Sequence, residues 1–397
     1  LGDVYKRQGY IGQDSRIQRR RLQAVFMRKT MIYADHAATT ALSPAAYDAM
    51  LPWLQDKYGN PSTLYSLARD PRKAIAYSRE LIAAAINADP GEIFFTSGGT
   101  EADNWALKGT AFQYNRGKGI LTSAIEHHAI LHSCAALERM GYSADTIPVD
   151  SMGTIHAETL QLALKENVIL VSIMLANNEI GTIEPVSELA EIAHQAGILF
   201  HTDAVQAVGH IPVNVKMLNV DMLSASAHKF NGPKGIGFLY IRKGVHLVPL
   251  LDGGGQEYGL RAGTENVAGI IGMAAALQEH VEHLAQEAEY LNILSARLID
   301  QLKSKNLDFR VNGGNTRLPG SLSLSFRDAD GEMLLHRLDL MGTAVATGSA
   351  CDSKDTVLSH VIRAIAVPKD YAYGTIRVTL GLSLIHISEP TRLQLIS

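Results

Sequence analysis

Lys229 stands in the run Ser224-Ala-Ser-Ala-His-Lys-Phe-Asn-Gly-Pro-Lys-Gly-Ile-Gly237, between one short apolar segment, Asp221–Ser224, and the next, Gly235–Ile241. A lysine at the rim of a sheet is usually a solvated charge. This one shares a glycine-rich turn with Ser226, His228 and Asn231, a setting that suits an amine held for covalent work on a carbonyl cofactor. Other polar groups recur at comparable places. Ser97-Gly-Gly-Thr100 follows the apolar Glu92–Thr96 and opens a helical pattern, and the glycines there let backbone amides approach an anion at a helix N-terminus. The plainer reading of that turn is a helix cap at Thr100. His127 follows the segment Gly119–Ile125, Asn178 follows Val168–Ala176, and Asp203 with Gln206 follows Ile198–His201.

These positions make sense once the elements are placed. The nearly continuous apolar run Val168–Ala176 has the length of a buried parallel strand. A helix from Pro185 to Ala196, stopped by Gly197, links it to the strand Ile198–His201, which makes a βαβ unit. Earlier, Pro44 opens a helix, and Ala74, Ile75, Leu81, Ile82, Ala85 and Ile86 step at helical spacing. The pattern is that of an open α/β sheet, whose ligands bind outside the carboxyl ends of the strands. Five strands would then deliver Ser97–Thr100, His127, Asn178, Asp203 with Gln206, and His228 with Lys229 to one crevice. An amine, an anion cradle, a carboxylate and an imidazole together suit pyridoxal phosphate: the lysine forms the Schiff base and the carboxylate keeps the ring nitrogen protonated. His128 and His132 are four apart, but they lack an H-E-x-x-H pattern and a third ligand, so no metal is expected.

The segments Ser97-Gly-Gly-Thr-Glu, Glu126-His-His, Ala176-Asn-Asn-Glu-Ile-Gly181, His201-Thr-Asp-Ala-Val-Gln206, Ser226-Ala-His-Lys229, Arg261-Ala-Gly-Thr264 and Thr347-Gly-Ser-Ala-Cys351 closely resemble the cysteine desulfurases of the NifS/IscS type. Those are class V aminotransferase relatives among the fold-type I pyridoxal phosphate enzymes. The resemblance runs from about residue 31 to 381. It implies a large domain with a mostly parallel seven-stranded sheet between helices and a smaller α+β domain. It further implies conversion of L-cysteine to L-alanine through an aldimine of pyridoxal 5'-phosphate on Lys229. Asp203 would pair with the ring nitrogen, Gln206 and Asn178 would contact the ring hydroxyl, and His127 would stack on the ring and move a proton. Gly99, Thr100, Ser226 and His228 would bind the phosphate, with Thr264 reaching it from the other subunit of a homodimer. Arg377, with Asn178, would hold the substrate carboxylate, a task its planar fork suits.

Cys351 separates a desulfurase from a plain aminotransferase, since sulfur removal needs a nucleophilic thiolate that becomes a persulfide. Its small polar surroundings suit a mobile loop, whereas Cys134, among Leu131, Ala135 and Leu137, reads as buried and structural. The loop after Cys351 lacks a proline that the resemblance leads one to expect. The implied partners are L-cysteine and a sulfur-acceptor protein, either an iron-sulfur scaffold or a transfer-RNA thiolation enzyme. A selenocysteine lyase, a class V aminotransferase and a non-catalytic assembly scaffold are the alternatives.

Composition sets the remaining bounds. The chain has 397 residues, 46% apolar and 19% charged, with a formal charge of -4, which gives no electrostatic footprint for nucleic acid. Its longest apolar stretches fall short of the roughly 18 residues a membrane span needs. Two cysteines argue against a disulfide framework and for a reducing cytoplasm. Residues 1–30 read as a non-native leader, Arg-rich over 9–26 as some targeting segments are, and 382–397 as an adapter-like tail in place of further helical sequence. Between them, 31–45 is expected to join the small domain, 46–285 to form the large domain and 286–381 the small one. Leu277, Leu284, Leu291 and Leu298, seven apart, fit one long helix packing from the large domain onto the small one, and Ser321–Phe326 alternates like a half-buried antiparallel strand.

Overall fold

The computed structural model describes residues 31–114, 117–348 and 358–381; residues 1–30 and 382–397, and Cys351, lie outside them. In chain order the elements are β1 (Ile32–Tyr33), α1 (Pro44–Gln55), α2 (Arg69–Ala85), β2 (Ile93–Thr96), α3 (Gly99–Gln113), β3 (Gly119–Ser123), α4 (His128–Glu138), β4 (Ser143–Ile147) and α5 (Ala157–Ala163). There follow β5 (Val168–Ser172), α6 (Val186–Gln195), β6 (Leu199–Asp203), α7 (Val215–Leu218), β7 (Met222–Ser226), β8 (Gly237–Ile241) and α8 (Val267–Ser304). The last are β9 (Phe309–Asn312), β10 (Ser321–Phe326), α9 (Gly331–Leu340), β11 (Thr343–Ala344), α10 (His360–Ala364), α11 (Lys369–Ala372) and β12 (Thr375–Thr379).

Seven strands form one sheet in the order β2-β8-β7-β6-β5-β3-β4. All run parallel except β8, which is antiparallel to both β2 and β7. Alternation along each strand builds two cores. Ile93 and Phe95, Leu121, Val171, Leu223 and Phe238 face one helical layer, while Phe94, Ile120, Leu170, Met222 and Leu239 face the other. Because both faces are covered, the strands read as continuous apolar runs. Five carboxyl ends, those of β2, β3, β5, β6 and β7, therefore point to one edge.

A second sheet, β12-β10-β9, is antiparallel, with Ser323 opposite Arg377. Its apolar side, with Leu322, Leu324, Ile376 and Val378, packs on Leu291, Leu298 and Leu302 of α8. Leu277, earlier on α8, belongs to the core of the large sheet, so this single helix of 38 residues spans both cores, as its leucine spacing suggested. The short β1 pairs in parallel with β11, and Ile32 and Ala34 enter the smaller core.

Three local expectations are corrected. The β5 ladder ends at Ser172, although burial continues to Asn177; beyond it Ile173 and Leu175 still donate their N–H groups to His201 and Asp203 carbonyls, so the extended run is partly irregular. The cap of α3 is Gly98, with Thr100 already inside the helix. The strand Ser321–Phe326 is buried through Ser325 on both faces, because its serines enter a polar layer in which Ser325 and Thr375 hydroxyls lie 2.6 Å apart and Asn312 donates to Ser323 and Ser325.

Candidate active site

A cleft of about 400 Å³ opens at the edge where the five strands end. Gly99, Thr100, His127, Asn178, Asp203, Gln206, Ser226, His228, Lys229 and Arg377 all line it. Thr264 does not; it is solvent-exposed after Arg261, whose guanidinium grips Glu101 on α3 at 2.8 Å. Cys351 lies outside the described residues, but Gly348, three positions before it, is at the cleft wall.

Lys229 follows β7 in a tight turn, and its Nζ donates to the carbonyl oxygens of Ala37 and Ala38 at 2.5 and 2.9 Å. The Gln206 side chain donates to the same Ala37 oxygen at 3.0 Å. The segment after β1 thus closes one side of the cleft on the lysine. Its neighbour His228 pairs through Nδ1 with the Thr39 hydroxyl at 3.1 Å, and burial, then the charge of Lys229, lowers its pKa to about 4.

Asp203, at the end of β6, accepts the Val205 N–H at 2.9 Å. Burial raises its pKa to about 6, against the opposing pull of that N–H and of Lys229. His127 does not end its strand directly: β3 stops at Ser123, a short turn intervenes, and the imidazole caps α4 by accepting the Ala129 N–H on Nδ1 at 3.1 Å. A neutral ring accepting there carries its proton on Nε2. Burial, followed by the Lys229 charge, lowers the His127 pKa to about 4, so the ring is neutral at ordinary pH.

The turn from β2 into α3 is shaped for a close approach. Gly98 sits at φ 149°, which side-chain-bearing residues rarely adopt, and no side chain caps the helix it opens. A Cβ on Gly99 would fall 2.5 Å from Val205 Cγ2. Uncapped amides at a helix N-terminus, beside Ser226 and His228, suit a phosphate. Across the cleft, Arg377 is buried, donates to the Asn178 carbonyl at 3.2 Å and to Asp35 at 2.7 Å, and has a buried Nε without a partner among the described residues.

Sequence reasoning missed three buried acids of this region. Asp103 lies one turn into α3 and lines the cleft. Glu126 accepts from Ser123 and from the Met174 N–H, and burial lifts its pKa to about 8. Glu179 accepts from Ser359 at 2.6 Å, and burial lifts its pKa to about 7. The available signal was an acid directly beside a singled-out residue, Glu126 before His127 and Glu179 after Asn178, and an aspartate between Ala102 and Ala106 on an otherwise apolar helix face. The His128 and His132 rings stack, with centroids 5.1 Å apart. Among the described residues, the donor atoms of Asp103, His127 and Asp203 are the ones that cluster, within 4.8 Å of one another.

The class-V aminotransferase family profile matches residues 32–384. The cysteine desulfurase IscS of Dictyoglomus turgidum is 51% identical over 356 residues, spanning 89% of this chain and 90% of that protein. Its namesake from Methanosarcina thermophila is 47% identical over 352 residues, spanning 88% and 87%. Among solved structures, a NifS-like protein aligns with a TM-score of 0.85 at 38% identity, covering 92% of this chain and 97% of that one. SspA in complex with cysteine aligns with a TM-score of 0.79 at 34% identity, covering 88% and 99%.

Proposed function

The chain belongs to the class-V aminotransferase family, and from that premise we propose that it is a cysteine desulfurase, taking the sulfur from L-cysteine and leaving L-alanine. The observation that carries this reading is the meeting of Lys229, Asp203, His127 and Arg377 in one cleft at the ends of the strands.

Pyridoxal 5'-phosphate fits the residues present. A Cβ on Gly99 would strike Val205, so glycine alone lets the start of α3 lie this close to the turn after β6, the Asp203 carboxylate is buried, and Lys229 lines the cleft. When bound, the cofactor supplies a conjugated sink for an electron pair released at the substrate. Gly99, Thr100, Ser226 and His228 would hold its phosphate, Asp203 the proton on its ring nitrogen, and Asn178 with Gln206 its hydroxyl. His127 would cover the ring face. Lys229 would anchor the cofactor and, as a free amine, would move the substrate α-proton. Arg377 and Asn178 orient the substrate carboxylate. The Cys351 thiolate attacks the substrate sulfur: an S–S bond forms as the carbon–sulfur bond breaks, the electron pair stays with the substrate carbon, and that carbon takes up a proton. The resulting persulfide passes to an acceptor protein, an iron-sulfur scaffold or a transfer-RNA thiolation enzyme.

A homodimer in the cytoplasm is the setting we propose. Thr264 is exposed and does not line its own cleft, and Tyr47, Leu51, Leu54 and Leu64 are exposed apolar residues on and after α1, which supports completion of each site by a second copy. No helix among the described residues is long and apolar enough to cross a membrane.

The test is absorbance of the purified protein with pyridoxal phosphate, followed by L-cysteine and a thiol reductant that supplies the two electrons needed to free the persulfide sulfur, with alanine and sulfide measured for wild type, Lys229→Ala and Cys351→Ala. A cofactor band that changes with cysteine, products that need Cys351, and loss of both in Lys229→Ala are expected. Full sulfur release from Cys351→Ala would favour a selenocysteine lyase, and a cofactor band that changes with cysteine while wild type releases no sulfur would favour an aminotransferase; no cofactor band in the wild type would overturn the role of Lys229.

A further inference from the structure

Behind Asp203 lies a second carboxyl group to which the mechanism above gives no task. Asp103 is 1% exposed, and its Oδ1 has no hydrogen-bond partner among the described residues. Donor atoms of Asp103, Asp203 and His127 lie within 4.8 Å of one another, so two carboxyl groups share one water-poor space at the cleft floor. Two carboxylates placed so closely do not both ionise readily. The remaining surroundings offer little positive charge to relieve them. His201 on β6 approaches Asp103 at 3.8 Å, but burial lowers its pKa to about 3, so its ring is neutral. Glu126, in the turn before α4, adds a further acid. Lys229 acts on Asp203.

A hydrogen-bonded chain supports the group from the far side. The Ser172 hydroxyl lies 2.9 Å from His201 Nδ1, His201 Nε2 lies 3.0 Å from the Ser224 hydroxyl, and Ser224 bonds the Asp103 carboxyl. With the His201 proton on Nε2, Ser172 donates to Nδ1, Nε2 donates to Ser224, and Ser224 donates to Asp103. That direction presents the Ser224 hydroxyl to Asp103 as a donor, while Asp103 Oδ1 has no hydrogen-bond partner among the described residues. Burial as the leading cause, and then the Asp203 charge, push the Asp103 pKa upward.

We propose that Asp103 is a positioning residue that keeps a proton beside Asp203, so that the two carboxyl groups together present a single negative charge to the cofactor's ring nitrogen. This rests on the reading of Asp203 as the partner of that nitrogen. A doubly ionised pair would carry a surplus charge in a dry site, whereas a neutral carboxyl group at 103 leaves that charge to Asp203 alone. The arrangement is a proton inventory of the protein itself, present before any cofactor binds.

Infrared difference spectra of the full chain, wild type against Asp103→Asn, test the proton directly, with and without pyridoxal phosphate. The expected result near neutral pH is the loss, in the variant, of a protonated-carboxyl band that shifts in heavy water. Titrating the holoenzyme's visible band adds the positioning readout: Asp103→Asn, neutral at all pH, should retain the neutral-pH band and lose the alkaline transition at which wild-type Asp103 ionises. If Asp103→Asn does not fold, Ser224→Ala serves, since removing that donor should move the loss of the protonated band to higher pH. Loss of carboxylate bands alone, or the same cofactor titration in wild type and Asp103→Asn, overturns the proposal. The infrared result does not depend on activity, so a protein that shows the protonated band yet releases no sulfide would count against the desulfurase reading and leave Asp103 protonated.

Discussion

Arg377 Nη2 lies 2.7 Å from Asp35 Oδ1, which ties β12 of the smaller sheet to the segment after β1 at the cleft wall. The guanidinium spends a second donor on the Asn178 carbonyl, so its orientation is fixed before substrate arrives. Lysine cannot reproduce that fork. Arg377→Lys is expected to raise KM for L-cysteine at least about ten-fold, a loss near 1.4 kcal/mol, with a smaller change in kcat. Asp35→Asn should lower the thermal midpoint, because it leaves a buried guanidinium short of its counter-charge, a change worth about 2–4 kcal/mol. Steady-state kinetics and thermal unfolding of the two variants check this, and an unaltered KM in Arg377→Lys would remove Arg377 from substrate binding.

Gly98 sits at φ 149° and ψ -176°, against β8, where a Cβ on Gly237 would lie 2.8 Å from Gly98 Cα. Two glycines therefore let the turn before α3 and β8 touch. Gly98→Ala must strain the turn or shift the amides at the start of α3, at a cost of about 1–3 kcal/mol. The expected outcome is pyridoxal phosphate binding weakened about ten-fold, read by equilibrium titration of the cofactor band, with most of the fold intact by circular dichroism. Unchanged affinity would mean that the phosphate is held elsewhere.

The buried acids set the sign of the pH dependence of stability. Glu126 and Glu184 have pKa values raised by burial to about 8, and Glu179 to about 7, from 4.5. Between the ordinary and the raised value, the folded protein holds protons that the unfolded chain has released, so stability falls as pH rises through that window. His201 and His210, lowered by burial to about 3 and 4 from 6.5, act oppositely: their contribution grows as pH rises toward 6.5. From pH 6.5 to 8 the histidines no longer differ between the two states while Glu126 and Glu184 still do, so the thermal midpoint is expected to decline as pH rises through that window. Glu126→Gln keeps the neutral form and should flatten that decline, which scanning calorimetry from pH 5 to 9 would show. A midpoint that rises across the alkaline limb contradicts the assignment.

How much of this was legible in the chain follows from what each residue has to do. Lys229, Asp203 and the glycine turn stand at strand ends marked by a change from apolar run to polar punctuation, so their convergence could be read from the βαβ order alone. The two-sided burial of the large sheet was likewise visible in runs such as Val168–Val171. Asp103 and Glu126 were not recognised, because a buried acid is written with the same letter as a solvated one and only tertiary packing tells them apart. The closure of the cleft by Ala37 and Ala38 was equally silent: it uses backbone carbonyls, which any residue supplies, and it depends on β1 pairing with β11 some 310 positions later. The serine face of β10 misled for a related reason, since an alternating strand reads as half exposed unless its polar side finds a buried network.

The two cysteines should differ sharply in reactivity. Cys134 is 5% exposed within the core between α3, α4 and the sheet, and burial, followed by the Glu126 charge, raises its thiol to a pKa of about 12. At pH 8 only about one part in 10⁴ of it is thiolate, which makes it a poor nucleophile even before access is considered. Cys351, as the proposed sulfur carrier, must instead be an accessible thiol of ordinary or lowered pKa. Alkylation of the native protein at pH 8, followed by mass spectrometry, is expected to add one group per chain at Cys351. Cys134→Ala should leave that rate unchanged and also leave sulfide release intact, whereas Cys351→Ala should abolish both the label and the persulfide formed with L-cysteine. Rapid labelling of Cys134 in the native state would show that this core opens far more readily than its packing implies, and a persulfide found on Cys134 would transfer the carrier role to it.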